Sequence, residues 1–446
     1  MIKLLKQVKL GWVFLALLVF VFTYIARLNP AVGFFLLSLF LYLNERGLIR
    51  ENCKLINLSM LFLIIFVSGY FICSNNLPIY YIPFSIVPML LMLLFTSIEI
   101  SLLISLATGI SLAAVNLFPL ELILLFIISS ILSSFLVKGA RKRTTIIRAG
   151  AITGLAQMAV FLFTSSWNAG SSYQALYFLL NGIVSSIVVL GVLPIFEYLF
   201  GAITNISLLE LADFHHPLLE RLIQEAPGTY HHSLIVGNLS ETASKAIGAN
   251  ALLSRVGAYY HDVGKLQKPE YFSENQDRTK NKHDTLSPAM SKLVIMKHIK
   301  EGVEIAKKYR INPALIDFIE QHHGKSLVYY FYLRALENPK EDQEVMEEGF
   351  RYPGPKPNSK ETAIVLLADS VEAAVRALKD PDPAKIEDLV HKVINNKFID
   401  GQLDECDLTL KDLERISAVF IRLLCGIYHS RASYPEKENN QAQADS

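Results

Sequence analysis

Hydrophobic and polar residues follow two different patterns along the chain, and the change falls near residue 200. From residue 10 to residue 200, apolar residues come in long, nearly charge-free runs separated by short polar loops. A bilayer core needs roughly 20 apolar residues per helix. On that measure eight spans are predicted, near 10–27, 31–44, 55–73, 79–96, 98–116, 118–137, 147–165 and 174–198. The second is short, and Pro78, Pro83 and Pro88 would kink or shorten the fourth, which packing against neighbouring helices tolerates. Beyond residue 205 the apolar positions recur at helical spacing. Leu218, Leu219, Leu222 and Ile223 form one stripe, Leu234, Ile235, Leu239 and Ala243 a second, and Ile364, Leu367 and Val371 a third. Pro227-Gly228, Gly264, Pro269, Pro313, Gly324 and the run from Tyr352 to Pro357 punctuate these helices, and no stretch alternates cleanly with period two.

The expected fold class is therefore all-α, a polytopic helical membrane domain followed by an all-helical domain in water. The expected divisions are a membrane anchor over 1–30, a multi-span domain over 31–200, a soluble domain over 205–434 and a disordered tail over 435–446. The segment 336–360, polar and then proline-rich, reads as a loop or lid. The first apolar run is too long for a cleaved signal and ends in Arg27-Leu28-Asn29-Pro30 instead of small residues, so it reads as an anchor.

Charge gives the orientation. Lys3, Lys6 and Lys9 precede span one, Arg46, Arg50 and Lys54 lie between spans two and three, and Lys138, Arg141, Lys142, Arg143 and Arg148 lie between spans six and seven. With eight spans these loops share one side, and the opposite loops carry almost no basic residues. The positive-inside rule then places the N-terminus and everything after residue 200 in the cytoplasm. Glu99, Glu121 and Glu197 lie near span ends, so the membrane half reads as an anchor that can transmit signals and not as a charge relay.

Composition agrees with the two patterns. Of 446 residues, 52% are hydrophobic, and the mean hydropathy of +0.35 is too high for an ordinary soluble enzyme. The net charge of +1 sums two unlike halves and identifies no partner. The soluble half shows no basic stripe, which argues against a nucleic-acid partner. Cys53, Cys73, Cys406 and Cys425 lie far apart with no CxxC spacing, so neither a disulfide framework nor a zinc-thiolate site is expected.

The candidate chemistry lies between residues 232 and 369. His232, the pair His261-Asp262, His298, the pair His322-His323 and Asp369 supply five imidazoles and two carboxylates. They are spread so widely that only a fold can gather them. The set is more than one ion needs and suits two, and two adjacent cations with a shared carboxylate suit hydrolysis of a phosphoester. Adjacent helical residues point about 100° apart. The choice between His231 and His232, and the joint use of His322 and His323, are therefore the doubtful positions. His283-Asp284 resembles a second such pair but sits in a polar loop, and His215, His216 and His429 carry little signal.

Gly228-Thr229-Tyr230-His231-His232-Ser233, Arg255 through Asp262, Gln321-His322-His323-Gly324, Arg351 through Pro357 and Ala368 through Ala373 together resemble the membrane-bound seven-transmembrane HD-domain phosphohydrolases of bacteria. That family includes phosphodiesterases that cut cyclic di-AMP. The resemblance covers most of 30–435. It implies a cytosolic HD domain and two divalent ions, manganese or iron. One ion would be held by His232, His261, Asp262 and Asp369, and the other by Asp262, His298, His322 and His323. Asp262, with two oxygens, is the expected bridge, and a hydroxide activated by the ions is the expected nucleophile. Lys265 could meet a phosphate as a point charge, and Arg351 and Tyr352 could contact phosphate and stack on a base. The expected activity is hydrolysis of cyclic di-AMP to linear pApA at the bacterial cell membrane. The expected partners are the cyclic dinucleotide and the lipid bilayer, with a homodimer left open. The short link Arg27-Leu28-Asn29-Pro30 stands where relatives carry a large extracytoplasmic domain, which puts external sensing in doubt. No Gly-Tyr-Pro follows the paired histidines, which counts against cyclic di-GMP. A nucleotide sensor without turnover, and a hydrolase of guanosine tetraphosphate or cyclic di-GMP, are the alternatives.

Overall fold

The computed structural model describes residues 52–95, 119–165, 169–276, 281–337 and 345–428, together with Ile98, Ser101, Leu102, Ile104, Ser105, Thr108 and Leu112. The first two predicted spans, the link Arg27-Leu28-Asn29-Pro30, His429 and the tail from 435 lie outside the described residues. The chain divides into two compact units, Met1–Glu210 and Leu211–Ser446.

The described part of the first unit is helical. It contains α1 (Asn52–Ser74), α2 (Ile86–Phe95), α3 (Pro119–Val137), α4 (Arg143–Thr164) and α5 (Ala169–Phe200), with α6 (Asn205–Leu211) at the division. The prolines shorten the predicted span near 79–96 as expected. Ile79–Tyr81 is a single 3₁₀ turn and the helix starts only at Ile86. Among the described residues, Arg143–Thr164 and Ser172–Phe200 are long and apolar enough to cross a membrane.

Helices α4 and α5 meet over glycines. A Cβ on Gly154 would overlap Leu179 O, and one on Gly182 would overlap the backbone of Gly150. Small residues let helix backbones approach closely where no hydrophobic drive separates helix from lipid. Some polar groups of this unit pair with one another: Gln157 Nε2 donates to Ser85 Oγ at 3.1 Å and to Ser129 Oγ at 2.9 Å, and the Ser101 and Ser134 hydroxyls lie 2.6 Å apart. Glu197, near the end of α5, accepts from Thr204 N and from Ser207 Oγ, both at 2.8 Å, and so caps the start of α6.

The second unit packs α7 (Pro217–Glu225), α8 (Pro227–Ile247), α9 (Ala251–Tyr260), α10 (Pro288–Lys308), α11 (Pro313–Gln321), α12 (Tyr329–Glu337), α13 (Lys360–Arg376), α14 (Pro383–Ile399) and α15 (Leu410–Ile427). Its helices start on recurring signals. Ser287, Asn312 and Asp382 each cap a helix whose first residue is proline, accepting from Met290 N, Ala314 N and Lys385 N. Ser359 with Thr362, and Thr409 with Asp412, form capping boxes. Helix α13 is the core of the unit, with every side chain from Ala363 to Ala368 fully buried. Helices α8, α9, α14 and α15 pack around it. Among the described residues there is no strand, only an isolated bridge between Leu327 and Arg351.

Candidate metal centre

Five histidines and two aspartates converge where α8, α9, α10, α11 and α13 meet. His232 is on α8. Its neighbour His231 is exposed while His232 is buried, which resolves the choice the sequence left open. His261 and Asp262 follow the last residue of α9, and His322 and His323 follow the last residue of α11. A helix end leaves backbone carbonyls unpaired, and an imidazole placed there can satisfy one. His261 Nδ1 donates to Ala258 O at 2.6 Å and His322 Nδ1 to Ile319 O at 2.9 Å. His298, within α10, donates from Nδ1 to Ile295 O at 2.5 Å. With Nδ1 engaged as a donor, each of these rings turns its Nε2 to the centre. Because the helix stops at Gln321, both adjacent imidazoles can reach inward: His322 Nε2 lies 3.2 Å from His298 Nε2, and His323 Nδ1 lies 3.6 Å from Asp369 Oδ2.

Asp262 divides the cluster. Its Oδ2 is 3.2 Å from His261 Nε2 and 3.6 Å from His232 Nε2. Its Oδ1 is 3.5 Å from His298 Nε2 and 3.6 Å from His322 Nε2. Each oxygen therefore faces a different group of ligands. His232, His261, Asp262 and Asp369 form one set with donor atoms within 4.8 Å of one another, and His298, His322 and His323 form another. Asp262 Oδ1 and His261 Nε2 are buried and make no hydrogen bond. Buried polar atoms left unsatisfied cost free energy. A nitrogen and oxygen set without thiolate, oriented inward in this way, fits divalent transition-metal ions.

The electrostatics keep most of the imidazoles neutral. Burial lowers His298, and burial together with neighbouring imidazoles lowers His322 to about 3 and His323 well below its ordinary value. Burial works in the same downward direction on His232, but hydrogen bonds to Asp369 and Glu372 prevail and raise it to about 9. Burial alone would raise Asp262, yet the Lys265 ammonium and His261 hold its carboxyl well below the usual range.

Lys265 reaches the centre, with Nζ 2.7 Å from Asp262 Oδ2 and 2.6 Å from Glu274 Oε1. Tyr352 is buried, and its ring stacks on His323 with centroids 4.3 Å apart. The structure does not bring the Arg351 guanidinium to the cluster. Its N–H groups bond to Glu347, Asp400 and the Lys325 carbonyl, locking the segment before α13 onto the end of α14. His283 is buried against Phe331 and donates to Tyr271 O, while Asp284 faces Arg334, so this pair belongs to loop structure. His215 is exposed beside Asp213, and His216 caps α7.

Three groups around the centre escaped the sequence reading. Glu372 accepts from His232 Nδ1 at 2.6 Å, Glu274 holds Lys265, and Arg376 lies 3.4 Å from Glu372 and 3.8 Å from Glu274. No spacing rule marks them. The signals in the sequence were the position of Glu372, one helical turn after Asp369, and of Arg376, one turn further.

An all-helical unit that gathers histidine and aspartate in this order around a shared carboxylate defines an HD-type metal centre. Two family models match the chain: "7TM receptor with intracellular HD hydrolase" over residues 5–204, and "HD domain" over residues 229–374. The chain belongs to the family of membrane-bound seven-transmembrane HD-domain proteins. It is 52% identical over 256 residues to the cyclic-di-AMP phosphodiesterase PgpH of Bacillus subtilis (strain 168), covering 57% of this chain and 36% of that protein. It is 39% identical over 400 residues to PgpH of Listeria monocytogenes serotype 1/2a (strain 10403S), covering 88% of this chain and 55% of that protein. The chain thus spans about half or less of these relatives' lengths. A crystal structure of the L. monocytogenes PgpH HD domain in complex with cyclic-di-AMP is 47% identical, with a TM-score of 0.46, over 49% of this chain and 100% of that one.

Proposed function

We propose that this chain is a membrane-anchored, metal-dependent phosphodiesterase that opens cyclic di-AMP to linear pApA at the cytoplasmic face. The observation that carries the reading is the placement of Asp262, one oxygen toward His232 and His261 and the other toward His298 and His322. The substrate follows the two relatives named cyclic-di-AMP phosphodiesterase. The basic loops at Lys54 and at Lys138 to Arg148 support a cytoplasmic orientation for the unit beyond Glu210.

Two divalent ions, manganese or iron, would be held by the two ligand sets, with Asp262 common to both. Bound there, such ions supply Lewis acidity toward phosphoryl oxygens and make water nucleophilic near neutral pH. The chain's own residues prepare the site. Backbone carbonyls fix three imidazoles with Nε2 inward, and Glu372 fixes a fourth through Nδ1. Glu274 holds the Lys265 ammonium against Asp262 Oδ2, so a fixed positive charge stands beside the position where phosphoryl charge develops. Tyr352, flat against His323, shields one wall from water. The overall change is addition of water across one P–O3′ bond, giving a 5′-phosphate and a free 3′-hydroxyl.

The test uses the full chain in nanodiscs with Mn²⁺ or Fe²⁺. Cyclic di-AMP, cyclic di-GMP and guanosine tetraphosphate are offered separately, and products are separated by chromatography. Linear pApA from cyclic di-AMP, lost in Asp262→Ala, is the expected result. Tight binding of cyclic di-AMP without any product, in protein shown to hold metal, would overturn the assignment in favour of a sensor.

A further inference from the structure

Lys397, on α14, is a half-buried cation that the mechanism above does not use. Its Nζ donates to Ser326 Oγ at 2.7 Å, and no carboxylate among the described residues forms an ion pair with it. The other lysine at this depth, Lys265, has two carboxylates in contact. Taking an ammonium out of water without a counter-charge is costly, and one neutral hydroxyl offsets only part of that cost. Burial accordingly lowers the Lys397 ammonium from its ordinary value, and Asp369 is foremost among the charges opposing that shift.

Three connections place this cation beside the metal centre. Ser326, its partner, donates its N–H to His323 O at 3.0 Å and accepts from Tyr352 N at 3.0 Å. His323 and Tyr352 are the stacked pair on one wall of the site. Helix α14 packs against α13, which carries Asp369. Lys397 nevertheless keeps partial exposure, as does the His323 side chain at 21%, so neither is sealed in the core. Lys265 is tied to Asp262 and Lys397 to the His323 wall, so the two ammonium groups flank the ligand cluster at separate points.

We propose that Lys397 receives the second phosphate of the cyclic dinucleotide, the one the metal-ligand cluster does not hold. This rests on the proposed function, because only a substrate with two phosphates on one ring demands a second anion site. With one phosphate at the cluster, the ring presents the other to a cation beyond Asp369. Lys397 is short of an anion there, and a phosphate oxygen would supply the charge-assisted bond it lacks. Lys397 is then a determinant of preference for cyclic dinucleotides over single-phosphate diesters.

The experiment compares the wild-type full chain in nanodiscs with Lys397→Met, Lys397→Gln and Lys397→Arg. It reads metal content, KM and kcat for cyclic di-AMP, and kcat/KM for bis(p-nitrophenyl) phosphate. Gln keeps a donor for Ser326 Oγ and carries the test if Met unfolds the unit. In Met and Gln the expected result is full metal content and a KM for cyclic di-AMP raised about 10- to 100-fold, the range for losing a hydrogen bond to a charged group. The selectivity for cyclic di-AMP over the small diester falls with it, and Arg restores part of the loss. An unchanged KM in Met and Gln, or loss of metal alongside activity, overturns the inference alone. Absence of any cyclic di-AMP turnover by the wild type overturns the proposed function, and the inference with it.

Discussion

The Glu372 carboxylate accepts the Nδ1 proton of His232 at 2.6 Å, across 140 positions of sequence. Among the described residues it is the one carboxylate that bonds a candidate ligand from outside the ligand sets. His261, His298 and His322 use backbone carbonyls for the same purpose. A carboxylate in that position fixes the tautomer and strengthens the imidazole as a donor, and removing such partners costs about 10–100-fold in metal affinity. Glu372→Gln should therefore fold and bind Mn²⁺ about 10–100-fold more weakly. A Mn²⁺ titration monitored by electron paramagnetic resonance reads this, and an affinity within threefold of wild type would show that Glu372 is ordinary core polarity.

Gly264 sets how closely the turn after Asp262 approaches α10. A Cβ there would overlap His298 O and come within 2.6 Å of Gly302 N. The atoms it meets are backbone, which cannot swing aside, and two of them belong to the candidate ligand His298. Gly264→Ala should cost about 1–3 kcal/mol, the usual range for overpacking, and should weaken metal binding by displacing His298. Gly349→Ala, where no atom lies within 4 Å of the new Cβ, is the matched control. Equal denaturation midpoints for the two variants would refute the close-approach argument.

The candidate ligands were legible in the sequence as residue types, and the groups that support them were not. His261-Asp262 and Asp369 stand out by type and order, and the fold brings them together. His232 could not be separated from His231, because the buried face of α8 mixes Val236, Leu239 and Ala243 with Ser233, Gly237, Ser240 and Ser244, so polarity alone does not mark which histidine lies on it. Of the stripe read from the sequence, Leu239 and Ala243 are buried, while Leu234 and Ile235 are only half-buried. His322 and His323 seemed to conflict until the end of α11 at Gln321 removed the helical geometry behind the conflict. Arg351 read as a phosphate contact because its charge was visible, while its partner Asp400 lies 49 positions away. Glu274 and Lys397 gave no signal for the same reason: a charge acquires its role from whatever the fold places beside it.

The raised value of His232 predicts proton release on metal binding. Its ordinary value is 6.5 and the folded value about 9, the rise coming from Asp369 and Glu372 against the opposing effect of burial. In metal-free protein the protonated ring stabilises the fold fully below its ordinary value, and that contribution is lost as pH rises through about 9. An ion at Nε2 must displace this proton, so apparent affinity should rise about tenfold per pH unit across that window. His298, His322 and His323, already neutral, add nothing to the slope. Calorimetry in two buffers of different ionisation enthalpy should report about one proton released near pH 7.5. A pH-independent affinity would remove His232 from the ligand set.

The pair between Lys265 and Glu274 should act as a support for Asp262, and its loss can be separated from loss of charge. Burial alone would raise Glu274, but the Lys265 ammonium lowers its carboxyl from 4.5 to about 2. A depressed carboxylate contributes stability above its unfolded value and loses it as pH falls through the folded one, so this share disappears between pH 4.5 and about 2. Glu274→Gln leaves Lys265 facing Asp262 alone and frees it to pivot on that single contact. Breaking a buried pair from one side costs about 3–5 kcal/mol, and the residual contact with Asp262 argues for the lower end. The acid branch of the stability curve should flatten in the variant over the same window. If Glu274 acts only through Lys265, the double variant Glu274→Gln with Lys265→Met should lose clearly less than the sum of the single losses, because both remove one interaction. Additive losses in urea denaturation would mean that Glu274 stabilises the unit through Thr229, 3.2 Å away, or Arg376, 3.8 Å away, and not through the lysine at the centre.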